Sequence, residues 1–283
     1  MGSKKVVFAG CGFLGDAAAG LFLGSGWSVL GLCATQESAA RLADRPYSVL
    51  AADISQPILV PKGWGSPDLV IHCASSGRGG ADAYRAVYRD GLKNLIEAFR
   101  PQRAIFTGST SVYAQTDGSW ITEESPAKPD RETGHVLLEA ESLALNSGGI
   151  VARLAGIYGP GRSVLLRKFL EGTAVLEAGG GRWINQIHRD DAASALLHLS
   201  NPQMASGVYN VCDNTPATQR EIYQWMADFT KRPLPSEGPA DLNRKRGWTS
   251  KRISNEKLRK SGWNPEFPSF SKALSGLLDC QAC

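Results

Sequence analysis

Along its first half the chain alternates short, nearly unbroken apolar runs with stretches in which apolar positions recur every three or four residues. The runs fall at 6–9, 28–33, 48–51, 69–73 and 104–107. A strand wetted on one face reads as alternating apolar and polar, so unbroken apolar runs mark strands covered by helices on both faces. Helical spacing fills the gaps at 14–23, 37–42 and 81–99, and in the first of these Leu14, Ala18 and Leu21 share one face. Strands alternating with helices predict an α/β fold, a Rossmann-type doubly wound parallel sheet.

After Ser109 the regularity loosens through a loop rich in Pro, Asp and Glu, then resumes with a helix over 134–145 and a strand over 150–154. Two further amphipathic helices follow, one with Ala192, Ala195, Leu196 and Leu199 on a face, the other with Ile222, Trp225, Met226 and Phe229. Pro233, Pro235 and Pro239 punctuate a linker into a basic segment that closes with Gly262-Trp263-Asn264-Pro265.

Composition narrows the function classes. At 283 residues, 42% hydrophobic and 20% charged, the chain can bury a sizeable core. No apolar run approaches the roughly 20 residues of a membrane span. The lysines at 4 and 5 pass directly into a strand-like run, which is not the pattern of a leader, so a cytoplasmic protein with no membrane partner is expected. A net charge of +4 is too mild to argue for nucleic acid.

Six scattered cysteines, Cys11, Cys33, Cys73, Cys212, Cys280 and Cys283, suit a reducing compartment. The terminal Cys280-Gln-Ala-Cys283 has redox or metal spacing but no second pair to complete a zinc site, so no metal is expected. Arg244, Lys245, Arg246, Lys251, Arg252, Lys257, Arg259 and Lys260 are dense enough to suit a phosphate-bearing substrate, or else form a solvated helical face.

The most informative motif is Gly10-Cys11-Gly12-Phe13-Leu14-Gly15. It follows the first strand, opens a helix and is succeeded by a second strand, the setting a dinucleotide fingerprint requires. Gly10 makes the tight turn, Gly12 lets backbone amides approach a pyrophosphate, and Gly15 lets the helix lie close to the sheet. The helix then presents its positive end to the phosphates. At the end of the second strand an acidic residue would select NAD, but the sequence there is Cys33-Ala34-Thr35-Gln36, with Arg41 one turn further. The choice leans to NADP. Asp53, after the third strand, suits a hydrogen bond to the adenine or serves as a turn residue. Residues 1–160 are thus read as the NAD(P)-binding domain. Residues 161–283 are read mainly as a substrate lobe, with some segments returning to the sheet.

An ordered set of segments resembles the extended short-chain dehydrogenase/reductases, specifically the NAD-dependent epimerase/dehydratase group. It comprises Asp53-Ile54, Ala74-Ser75, Phe106-Thr107-Gly108-Ser109-Thr110-Ser111-Val112-Tyr113, Arg153 through Gly161, Ile187-His188-Arg189-Asp190-Asp191, Tyr209-Asn210-Val211 and Gly262-Trp263. The resemblance implies that Phe13, Leu14, Ala34, Thr35, Asp53, Ile54, Ala74 and Ser75 lie along the cofactor with the three glycines. It also implies that Tyr158 borders the nicotinamide, and that a homodimer pairs the helices at 81–99 and 134–145. Their apolar faces would equally serve the core.

Members of that group usually hold a Ser or Thr together with a Tyr and a Lys one helical turn apart. That spacing puts the ammonium beside the phenol and lowers its pKa for proton exchange with a substrate hydroxyl. Ser109 fits the first position, but no Tyr in this chain is followed four residues later by Lys. Aligned on Glu141, the missing pair falls on Thr133 and Leu137; counted from Ser109, it falls on His135 and Glu139. This departure resembles the atypical, YeeZ-like branch. Ser109, Tyr113, His135 oriented by Glu139, and Tyr158 are the candidates for the chemistry. His188, before two aspartates at a helix start, reads as a capping and packing residue. The expectation is an NAD(P)-dependent oxidoreductase or epimerase acting on a hydroxyl or carbonyl of a small molecule such as a nucleotide-sugar. The alternative is an inactive dinucleotide-binding redox sensor or partner-binding protein.

Overall fold

β1 (Lys5–Ala9) has a parallel neighbour on each side. On one side lie β2 (Ser28–Cys33) and then β3 (Ser48–Ala51); on the other lie β4 (Leu69–His72), β5 (Arg103–Ser109), Ile150–Leu154 and finally Gly207–Val211. The chain starts in the middle of this seven-stranded sheet, winds outward one way, then crosses to β4 and winds the other way. The carboxyl ends of β1 and β4 therefore flank the crevice where such sheets take ligands. The computed structural model describes residues 2–77, 79–241 and 248–279. Arg244, Lys245, Arg246, Cys280 and Cys283 lie outside the described residues.

Four of the five apolar runs are strands covered on both faces, with Val6 to Phe8 and Val70 to Ile71 wholly buried. The run at 48–51 is not: β3 is the edge strand, and Leu50 is 40% exposed. Helix α1 (Phe13–Gly24) covers β1 and packs against the helix Arg189–Leu199. The expected helix at 37–42 is the shorter α2 (Gln36–Ala40), begun by Thr35, whose hydroxyl accepts from the Ser38 amide at 3.1 Å. β4 ends at His72, one residue short of the apolar run, and β5 continues to Ser109, two beyond it.

The expected helix over 81–99 is three pieces: α3 (Ala81–Tyr84), a π-helical turn Arg85–Asp90, and α4 (Gly91–Phe99). The wider turn turns the Val87 carbonyl to the sheet, where His72 Nε2 donates to it at 2.9 Å. Tyr84 and Tyr88 are buried there with ring centres 4.9 Å apart. Beside them runs α5 (Glu132–Asn146). Its Glu141 carboxylate takes a fork of hydrogen bonds from Arg153 at 2.6–3.2 Å, a buried ion pair joining the helix to the strand Ile150–Leu154.

The second half divides its residues between two cores. Tyr158 joins Leu166, Phe169, Ile222, Tyr223, Met226, Phe270 and Leu274 in a separate apolar cluster built by helices Val164–Leu170, Gln219–Thr230 and Phe270–Asp279. Between these excursions the chain returns to the sheet through helix Arg189–Leu199 and strand Gly207–Val211. Asp191 fastens the two parts by accepting the amides of Glu266 and Phe267 at 2.7 and 2.9 Å. Of the described cations in the basic segment, Lys257, Arg259 and Lys260 lie on an exposed helical face, while others are built into the structure. Lys251 is buried and donates to the Tyr113 carbonyl at 2.6 Å, Arg252 sits over the Trp120 and Trp183 rings, and Lys260 pairs with Glu256. No helix of the described residues is long and apolar enough to cross a membrane.

Candidate functional site

The glycine loop fits an anion by its backbone. Gly10 has φ +93°, and a methyl on it would lie 2.4 Å from the Ala74 Cα. On Gly15 a methyl would lie 2.0 Å from the Gly10 carbonyl oxygen, so α1 can begin this close to the sheet only without it. Gly12 differs: it is extended, and a methyl there meets nothing within 4 Å. Gly12 is also the N-cap of α1 and no side chain caps the helix. The first amides of α1 therefore keep their hydrogen-bonding capacity and point, with the positive end of the helix, at open space.

That space is a cavity of about 580 Å³ lying over the carboxyl ends of β1, β2, β4 and β5. Of the residues predicted to follow a dinucleotide, Gly10, Gly12, Phe13, Leu14, Ala34, Asp53, Ile54, Ala74 and Ser75 line it; Gly15 and Thr35 act behind it, by packing and by capping α2. Asp53 faces the cavity and accepts the Ser55 amide at 3.0 Å, as a turn residue does. At the β2 end the wall carries Ser38 and Arg41 and no carboxylate; Arg41 pairs with exposed Glu37. Among the described residues, the formal charges on the lining are Arg41, Arg162 and Asp53, a balance that suits a polyanion.

At the far end stand Thr107, Gly108, Ser109 and Leu154. Ser109 Oγ accepts the Ser111 amide at 3.2 Å, which leaves its own proton free to be donated. Gly108 is small because the Glu141 carboxylate lies behind it: a methyl would come within 2.9 Å of Oε1. A small cleft of about 30 Å³ adjoins the cavity, lined by Ser111, Asp130, Thr133 and Trp248, and Tyr84 and Leu137 border both.

The other predicted chemical side chains are placed elsewhere. α5 turns Thr133 and Leu137 inward, and His135 and Glu139 to solvent, where Glu139 meets Arg89 at 3.3 Å instead of orienting an imidazole. Tyr113 is fully buried off the cavity; its hydroxyl accepts from Arg153 at 2.7 Å and donates to Asn210 at 3.0 Å. In the strand Gly156–Tyr158 successive side chains point to opposite faces, so Ile157 lines the cavity and Tyr158 enters the second core between His188 and Phe270. Among the described residues the Tyr158 hydroxyl has no hydrogen-bond partner, and burial holds its proton far above the usual phenol range. His188 caps helix Arg189–Leu199, accepting the Asp190 amide at 3.3 Å.

Tyr84 and Arg162 are among the lining residues that sequence reasoning did not single out for the site. Arg162 follows the Gly159-Pro160-Gly161 turn and lays its guanidinium 5.0 Å from the Phe13 ring, beside the glycine loop. Its place after a segment expected near the nicotinamide was the available signal. Tyr84 carried none, because the π turn that aims it depends on His72.

Known proteins share this arrangement. Residues 6–212 match the model of the NAD dependent epimerase/dehydratase family. Over 240 residues the chain is 30% identical to Protein YeeZ of Escherichia coli K12, covering 79% of this chain and 83% of that protein. A solved chain from Methylobacillus flagellatus is 27% identical with a TM-score of 0.79, each chain covered in full at 100%. The dTDP-glucose 4,6-dehydratase of Bacillus anthracis, solved with NAD, shares the fold at a TM-score of 0.80 and 17% identity, over 99% of this chain and 97% of that one. The sheet order, the glycine turn and the match from 6 to 212 agree: this chain belongs to the NAD dependent epimerase/dehydratase family.

Proposed function

We propose that the chain is an oxidoreductase or epimerase that binds a nicotinamide dinucleotide, NADP ahead of NAD, and acts on a hydroxyl or carbonyl of a small molecule of the nucleotide-sugar class. The observation that carries this reading is one continuous cavity running from the uncapped start of α1 to Ser109, with a small cleft adjoining it. The amides of Gly12, Phe13 and Leu14 would hold the diphosphate, and Ser38 with Arg41 would meet a 2′-phosphate. When bound, the dinucleotide supplies hydride chemistry. The protein's part is to orient and polarise: Ser109 donates to the reacting oxygen, and Tyr84, bordering both spaces, is the hydroxyl placed to exchange a proton with a molecule in the cleft.

Aligned on Glu141, the group's proton-transfer pair falls on Thr133 and Leu137, and this favours a second reading: a dinucleotide-binding sensor without turnover. The test is a titration with NADPH and NADH followed by a turnover screen against UDP- and dTDP-sugars. Turnover that falls about a hundredfold or more in Ser109→Ala and Tyr84→Phe, but not in His135→Ala, supports the enzyme. Tight dinucleotide binding with no turnover across the panel supports the sensor. No binding of either dinucleotide overturns both.

A further inference from the structure

Three thiols open onto the cavity: Cys11, Cys33 and Cys73. Two of them face each other. The Gly10 amide donates to the Leu32 carbonyl at 2.8 Å, which sets Cys11 alongside Cys33 one residue further along each segment. Cys33 follows Gly31 by two residues in β2, so its side chain shares the strand face over which the Cys11 sulfur lies. Cys11 is held inward over β2, where a methyl on Gly31 would meet its sulfur at 2.5 Å. Cys73 turns toward the Thr107 side chain instead. Among the described residues no three His, Cys, Asp or Glu side chains are grouped to hold a metal ion.

We propose that Cys11 and Cys33 form a redox-active dithiol on the wall of the dinucleotide cavity, which a peroxide oxidises to a disulfide that weakens dinucleotide binding. The step balances as two thiols plus hydrogen peroxide giving one disulfide and two waters. The Cys33 thiol gives up its proton and the thiolate attacks a peroxide oxygen, becoming a sulfenic acid; the hydroxide released takes up that proton as the first water. The Cys11 sulfur then attacks the Cys33 sulfur, the S–S bond forms, and the oxygen leaves as water with the Cys11 proton. Burial pushes the Cys11 thiol up to about 12 and raises Cys33 as well, which slows the first attack; contacts with Cys11 temper the rise at Cys33, and the proposal gives it that step. Cys11 lies between the two glycines that shape the phosphate turn, so tying it to the end of β2 re-aims the amides of that turn.

The effect on binding rests on the cofactor reading of the cavity; the pairing of the thiols does not. The test exposes the reduced protein to hydrogen peroxide, maps its peptides by mass spectrometry without reduction, and titrates NADPH before and after. The expected result is a Cys11–Cys33 disulfide, an affinity for NADPH lowered about tenfold or more, and recovery with dithiothreitol. In Cys33→Ser, whatever its starting affinity, peroxide leaves NADPH binding where it was; Cys11→Ser serves the same comparison should that variant not fold. Oxidation that stops at a sulfenic or sulfinic acid, pairs through Cys73, or leaves the affinity unchanged overturns the proposal. A Cys11–Cys33 disulfide in a chain that binds no dinucleotide even when reduced upholds the pairing and overturns the cofactor reading.

Discussion

Gly10 and Ala74 approach so closely, with Gly10 at φ +93°, that the end of β1 and the loop after β4 leave no room for a side chain between them. Gly10→Ala should therefore cost about 2–4 kcal/mol from strained backbone and displaced neighbours together. Gly12→Ala, whose methyl points into open cavity, should unfold at nearly the wild-type denaturant midpoint while losing dinucleotide affinity. Urea melts paired with NADPH titrations separate the two; equal destabilisation would mean that the turn is built for the fold alone.

Arg41 is mostly exposed and already paired with Glu37, yet it is the cation on the wall beyond β2. Arg41→Ala should weaken NADPH by about 1.5–3 kcal/mol, the scale of a charge-assisted hydrogen bond, and leave NADH unchanged. Calorimetry with both dinucleotides measures it, and an equal loss for the two would place the 2′-phosphate elsewhere.

The Glu141–Arg153 pair is buried behind Gly108. Glu141→Gln leaves an uncompensated guanidinium inside and should destabilise by about 3–5 kcal/mol, whereas Glu141→Leu combined with Arg153→Met should recover most of that loss. Chemical denaturation of the three proteins checks the order.

Lys251 titrates where stability can report it. Burial, with Arg182 nearby, draws its ammonium down from 10.5 to about 8. Between those values the unfolded chain holds a proton that the folded chain has released, so this group's contribution to stability rises with pH from about 8 to 10.5. Relative to Lys251→Met, the wild type should gain on the order of 3 kcal/mol across that window. Denaturant midpoints at pH 7.5 and 10.5 decide it; parallel pH profiles would show an ordinary, hydrated amine.

The sheet was legible because burial on both faces writes itself into sequence as unbroken apolar runs, and the glycine turn because it demands its glycines locally. Side-chain direction was not. The spacing of His135 and Glu139 is as good as that of Thr133 and Leu137, and packing against the π turn decides which pair faces in. Tyr158 was drawn to the cleft by the segment it belongs to, yet strand alternation hands that place to Ile157. The π turn left no trace either, since Tyr84, Tyr88, Leu92 and Leu95 keep helical spacing and the carbonyl it frees is claimed by His72, distant in sequence.

Strand Ile150–Leu154 needs Gly207–Val211 along its outer edge. During synthesis it therefore leaves the ribosome with a bare row of amides and carbonyls, and stays so while the first excursion into the small lobe is still being made. A nascent chain in that condition is a template for pairing with its neighbour on the polysome. Cutting the gene near codon 160 would make that exposure permanent, so the product would be a sticky fragment in inclusion bodies rather than a portable cofactor-binding module.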